Sequence, residues 1–214
     1  MRFNWFYIFI LVIPNTNANE METARKRWAE SPHGPMLERI IPPGFEPAML
    51  PDPGSEGARL TLRYCVQCHN LANPAMHEPK KWPVVVERMV PRMQGQGNMG
   101  KLMADMMVGV QAPGAEEKIA LTSYLRKHAQ RPLDPRKYPE VNSPAGESFR
   151  VVCSQCHVLP DPRRHTAKEW PAVVARMQKN VDWMNRVVGS KPIPGEPQLR
   201  VEDINAFLIR NARR

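Results

Sequence analysis

One pentapeptide, present twice, constrains this chain more than any other feature. The pattern C-x-x-C-H occurs as "CVQCH" at residues 65–69 and as "CSQCH" at residues 153–157, and the two copies use all 4 cysteines of the 214 residues. Residues i, i+3 and i+4 share one face of a helix, so on a helix both sulfurs and the imidazole point the same way. The fold has to provide this three-residue set two times over.

Covalent haem attachment needs such a set. Two cysteines form thioethers to the vinyl groups, and the adjoining imidazole binds the iron. That assigns Cys65, Cys68, Cys153 and Cys156 to attachment, and His69 and His157 to the metal. Three other uses fit less well. A thioredoxin-like redox pair needs a βαβ setting, and none is visible. A four-cysteine zinc site needs its pairs about 15–20 residues apart, whereas Cys65 and Cys153 are 88 apart. Two local disulfides would leave both trailing histidines without a purpose. The expected cofactor is two covalently attached haem c groups.

The offset of 88 persists beyond the cysteines. "HEPKKWPVVVERM" at 77–89 lies over "HTAKEWPAVVARM" at 165–177 without a gap, pairing His77 with His165, Trp82 with Trp170, Arg88 with Arg176 and Met89 with Met177. Such self-similarity marks two like units. Each ends in a segment of near-helical apolar spacing: Ile119, Leu121, Tyr124 and Leu125 in the first, and Val201, Ile204, Phe207 and Leu208 in the second. Thr166 and Glu169 form a capping-box pattern ahead of the second unit's middle helix, with His165 placed for a staple-like contact to Trp170. Pro79 suits a first helical turn in the first unit. Pro83 and Pro171 require either a later helix start or a distorted first turn.

On the pentapeptides and this repeat, the chain resembles the class I c-type cytochromes in a tandem two-haem form, over roughly residues 57–214. The resemblance implies an all-α fold of two small cytochrome c-like helical domains in tandem. Each would have a helix leading into the pentapeptide, a middle helix, a loop carrying a methionine ligand, and a C-terminal helix. The boundaries that follow are a first domain at 57–131, a stiff, Pro-rich and non-helical linker at 132–144 that sets the separation of the units, and a second domain at 145–214. A Pro-rich N-terminal arm at 19–56 precedes them, with a short helix near Glu22 to Glu30. Units of about 75 residues have marginal cores of their own, so the haem would supply missing apolar bulk.

In the second unit the resemblance points to Met184 as the sixth iron ligand, placed in a loop past the middle helix, with Met177 as core. In the first unit it points to Met99, and Met103 is the alternative. His77 and His165 remain alternatives as bis-histidine ligands, although a role before a helix suits them better. Trp82 and Trp170 are core rings whose indole N–H groups could reach haem propionates. Arg88 and Arg176 either balance propionate charge or face solvent.

Residues 1–18 read as a signal peptide: Arg2, the apolar run "WFYIFILVI" and the small residues "TNA". The apolar run is too short to span a bilayer, and no later stretch could, so the mature chain is expected in the periplasm without an integral membrane segment. The formal charge of +9 favours a redox partner with an acidic docking surface. No recognition helix or aromatic-interleaved basic patch supports nucleic acid. The function expected is electron transfer between partners by Fe(III)/Fe(II) cycling, without enzymatic activity. Two alternatives stand beside it. One is a haem enzyme with an open iron, either a two-haem peroxidase or an oxidoreductase of inorganic sulfur or nitrogen compounds. The other is a dedicated haem subunit of a larger dehydrogenase.

Overall fold

The computed structural model describes residues 42–98, 100–188 and 200–214, with single positions 23, 26, 30 and 34 ahead of them. The expected signal peptide, most of the arm and Met99 lie outside the described residues; of the arm's short helix, Thr23 and Lys26 are helical and the Glu30 N–H donates to Lys26 O at 3.0 Å. Within them the fold is all-α: seven α-helices, several 3₁₀ turns and no β-strand beyond two isolated bridges. No helix among the described residues is long and apolar enough to cross a membrane.

The same topology appears twice. Helix α1 (Glu56–Tyr64) leads to the first pentapeptide, α2 (Trp82–Met93) and α3 (Lys101–Met106) follow, and α4 (Ala115–Lys127) closes the first half. Helix α5 (Pro144–Cys153) leads to the second pentapeptide, followed by α6 (Trp170–Val188) and α7 (Val201–Asn211). In each half the leading and middle helices both pack on the closing one: α1 and α2 on α4, α5 and α6 on α7. One core gathers Leu60, Tyr64, Trp82, Val86, Leu121 and Leu125; the other gathers Phe149, Trp170, Val174, Ile204, Phe207 and Leu208. Ile119, expected on the apolar face of α4, is instead 68% exposed.

The prolines explain where the middle helices begin. Both start at the tryptophan, so Pro83 and Pro171 fall at the second helical position, where an amide hydrogen has no intrahelical partner to lose. Pro79 lies in a turn three residues ahead of α2, not in its first turn. Glu169 does reach back to the Thr166 backbone N–H at 2.8 Å, but its carboxylate also takes the Thr166 hydroxyl hydrogen, so only half of a capping box forms.

The segment expected to be a non-helical spacer is different. Residues 135–137 and 139–142 form 3₁₀ turns, and Leu133, Tyr138 and Val141 are buried in the second core. Pro135 and Pro139 each open one of these turns, because their fixed φ suits that position. Once coiled, the segment turns its apolar side chains onto α5. Ahead of α1, the described part of the arm packs as well. Leu50 is buried with Leu62, Val66 and Leu71, and the Phe45 N–H donates to Leu71 O at 3.1 Å.

Candidate cofactor site

Both pentapeptides open onto one cavity of about 580 Å³ with mainly apolar walls, which include Cys65, His69, Cys153, Cys156 and His157. Its size is ordinary for a small-molecule or cofactor site. The pentapeptides are less helical than their spacing suggests. Helix α1 ends at Tyr64 with Cys65 as its cap, and α5 ends at Cys153 itself. In the first half, Gln67 is drawn off the helical course by two hydrogen bonds: its amide donates to Gln111 O at 2.8 Å and accepts from Gln111 N at 2.9 Å. In the second, Gln155 N donates to Val152 O, a tighter three-residue step.

The two histidines are prepared alike. His69 Nδ1 lies 2.7 Å from Asn70 O, and His157 Nδ1 lies 2.8 Å from Val158 O. A carbonyl can only accept, so each Nδ1 carries the hydrogen, and in the neutral imidazole each Nε2 keeps its lone pair. A backbone acceptor on the far nitrogen is the usual support of a metal-binding imidazole.

None of the four cysteines is joined in a disulfide. Burial pushes the Cys65 and Cys153 thiols up to about 12, with a smaller push from Cys68 and Cys156 respectively. Cys68 is off the cavity wall, with its Sγ 3.7 Å from Met107 Sδ. Among the described residues, no group of three or more His, Cys, Asp or Glu side chains is placed to hold a bare metal ion.

Met184 reaches the cavity wall, but from α6 and not from a loop. Between Pro171 and Gly189 the sequence has no Pro or Gly, so the helix continues for 19 residues. In the first half Pro91 and Gly95 intervene, Gly95 adopts φ +75°, and α2 stops after 12 residues. Met177 shares the wall, with its sulfur 4.0 Å from Asn180 Nδ2. Met103 does not line the cavity and packs beside Gly97, whereas Met76, Met89 and Met93 do line it.

His77 and His165 pack edge-on against Trp82 and Trp170, with ring centroids 5.0 and 4.8 Å apart. The indole N–H groups are not available to a cofactor carboxylate. Trp82 Nε1 donates to Pro74 O and Trp170 Nε1 to Pro162 O, both at 2.8 Å. Each proline sits at the centre of an Asx turn in which Asn73 or Asp161 accepts from the amide two residues on, at 2.9 Å in both. The 88-residue repeat is therefore a repeat of hydrogen bonds as well as of letters.

Two donors on the wall do lack partners. Arg176 Nε and Trp183 Nε1 are buried and unbonded, about two turns apart on one face of α6. Burial holds the Arg176 guanidinium below its ordinary value, and its Cζ stands 5.7 Å from the centroid of the Phe45 ring. Buried polar groups are normally satisfied, so this pair fits a carboxylate from an occupant of the cavity. The repeat partner of Arg176, Arg88, is exposed, and Gly95 stands where Trp183 would be.

Sequence reasoning missed Trp183, Phe45, Gln130 and Arg164 as parts of this wall. For Trp183 a signal existed: a tryptophan in the run "NVDWMNRVV" with no counterpart in the first unit. The chain matches no family model, no curated protein and no solved structure.

Proposed function

We propose that this chain is a periplasmic two-haem c-type cytochrome that passes electrons between redox partners. The observation that carries the reading is that Cys65, Cys153, Cys156 and both pentapeptide histidines line one apolar cavity, each histidine held in the tautomer that leaves Nε2 for a metal. The group would supply one-electron Fe(III)/Fe(II) chemistry when bound.

The residues have separable roles. Cys65 and Cys68, and Cys153 and Cys156, would tie the group to the chain through thioethers. His69 and His157 would hold the two irons. Met184, on the wall from α6, would be the methionine ligand at the second, its soft thioether favouring the ferrous state. Met99 would hold that role at the first; Met103, the alternative, is off the cavity wall. Arg176 and Trp183 bind a carboxylate, and the apolar walls exclude water, which raises the cost of charge at the iron. The reading retains two tandem cytochrome c-like domains, a signal peptide at residues 1–18, and a partner with an acidic docking surface.

Oxidised and reduced spectra, with and without carbon monoxide, test the function. A carrier with filled axial positions gives two low-spin haems that ignore carbon monoxide. Ready binding by either reduced haem would overturn the carrier reading in favour of an enzyme.

A further inference from the structure

Arg164 stands in the second half, at the end of a 3₁₀ turn, yet its guanidinium serves the first. Its NH1 donates to Ala129 O at 3.1 Å and to Gln130 Oε1 at 3.2 Å, and its NH2 donates to His128 O at 3.1 Å. These acceptors follow directly on the C-terminus of α4, where unpaired carbonyls concentrate negative potential. A planar fork satisfies several of them at once, as a lysine could not.

The contact continues on both sides. Gln130, buried and on the cavity wall, donates its backbone N–H to His77 O at 2.8 Å, so a chain of bonds runs from His77 through Gln130 to Arg164. Beside it, Pro132 and Pro160 form an isolated bridge, and Leu133 N donates to Leu159 O at 2.8 Å. Leu159 is two residues beyond His157. The repeat supplies a contrast, because the position equivalent to Arg164 is Met76, which is 43% exposed. The two otherwise like turns differ at the residue that joins the halves.

We propose that Arg164 is a positioning residue that locks the two cores into one arrangement around the shared cavity, fixing the distance between the haem sites. This deepens the two-haem reading and rests on it. Without the clasp, the halves remain tied by the bridge at Pro132 and Pro160 but lose the bonds to the end of α4.

The test uses the full-length protein with its haems, comparing wild type, Arg164→Gln, Arg164→Lys and the exposed neighbour Arg163→Gln. Magnetic dipolar coupling between the ferric irons reads their separation, denaturant unfolding reads cooperativity, and intact mass counts haems. Wild type and Arg163→Gln should show one narrow separation and one unfolding transition. Arg164→Gln should keep two haems, broaden the distribution of separations and split unfolding into two steps. Arg164→Lys should fall between, since it keeps the charge but not the fork. Wild-type separation and cooperativity in Arg164→Gln would overturn the proposal; if that variant does not accumulate, the same result in Arg164→Lys does so. Wild-type protein without haem would overturn the functional reading instead. The clasp would then stand or fall on helix unfolding alone, as one transition in wild type against two in Arg164→Gln.

Discussion

The buried indole N–H of Trp170 donates to Pro162 O, and Trp82 repeats the bond with Pro74 O. Trp170→Phe keeps most of the ring but leaves that carbonyl unpaired, a loss of about 1–3 kcal/mol. Denaturant titration should find a similar loss for Trp82→Phe. At the iron, Met184→Ala should remove the near-infrared sulfur-to-iron band of the second haem, lower its potential and open it to carbon monoxide. Met177→Ala should cost about 2 kcal/mol by loss of packing and leave the band in place. A band that survives Met184→Ala and disappears in Met177→Ala would move the ligand about two turns back along α6. The two C-x-x-C-H segments that meet at the cavity were open to sequence reasoning because each is a short local pattern. Arg164 was not, because its partners lie about 35 residues away and no local pattern encodes them.

Between the helices, two close approaches admit only glycine. An added Cβ at Gly57 would overlap Tyr124 Cβ where α1 meets α4, and one at Gly146 would come within 2.6 Å of Val141 Cα where α5 meets the preceding turn. Gly57→Ala and Gly146→Ala should each cost about 1–3 kcal/mol or more, as overpacking does. Gly54→Ala, which meets nothing within 4 Å, should be nearly neutral. The start of α4 carries a pH signature. Glu117 accepts from Gly114 N at 3.0 Å and from Tyr64 Oη at 2.7 Å, and with Arg63 nearby these bonds hold its carboxyl below the usual range. A depressed carboxylate stabilises the fold fully above its unfolded value of about 4.3, and that contribution is lost as pH falls through the lower folded value. Glu117→Gln should therefore flatten the acid limb of the stability curve measured below about pH 4.3. Helices α4 and α7 were legible from apolar spacing, whereas the start of the middle helices was not: Pro83 and Pro171 suggested a later or distorted start, and both helices begin at the tryptophan. The length of α6 was misjudged because a family-like loop was expected where the sequence has no breaker.

The molecule joins two like halves at one cavity, and that arrangement is least visible in the sequence. The linker prolines suggested separation, whereas Leu133, Tyr138 and Val141 bury themselves in the second core and Leu133 bonds back to Leu159. Long-range packing of this kind depends on what the turns face once formed, which composition does not report. With a formal charge of +9, docking to an acidic partner should weaken as salt rises, because exposed charges are screened over about 8 Å at physiological ionic strength. Electron-transfer rates that do not change with salt would argue against electrostatic docking. The central claim is that both pentapeptides carry haem, and intact mass of the purified protein followed by mass of its proteolytic fragments tests it most directly. The account predicts a chain bearing two haems, one on the fragment with Cys65 and Cys68 and one on the fragment with Cys153 and Cys156. An unmodified chain, or one whose cysteines are paired as disulfides, would contradict it.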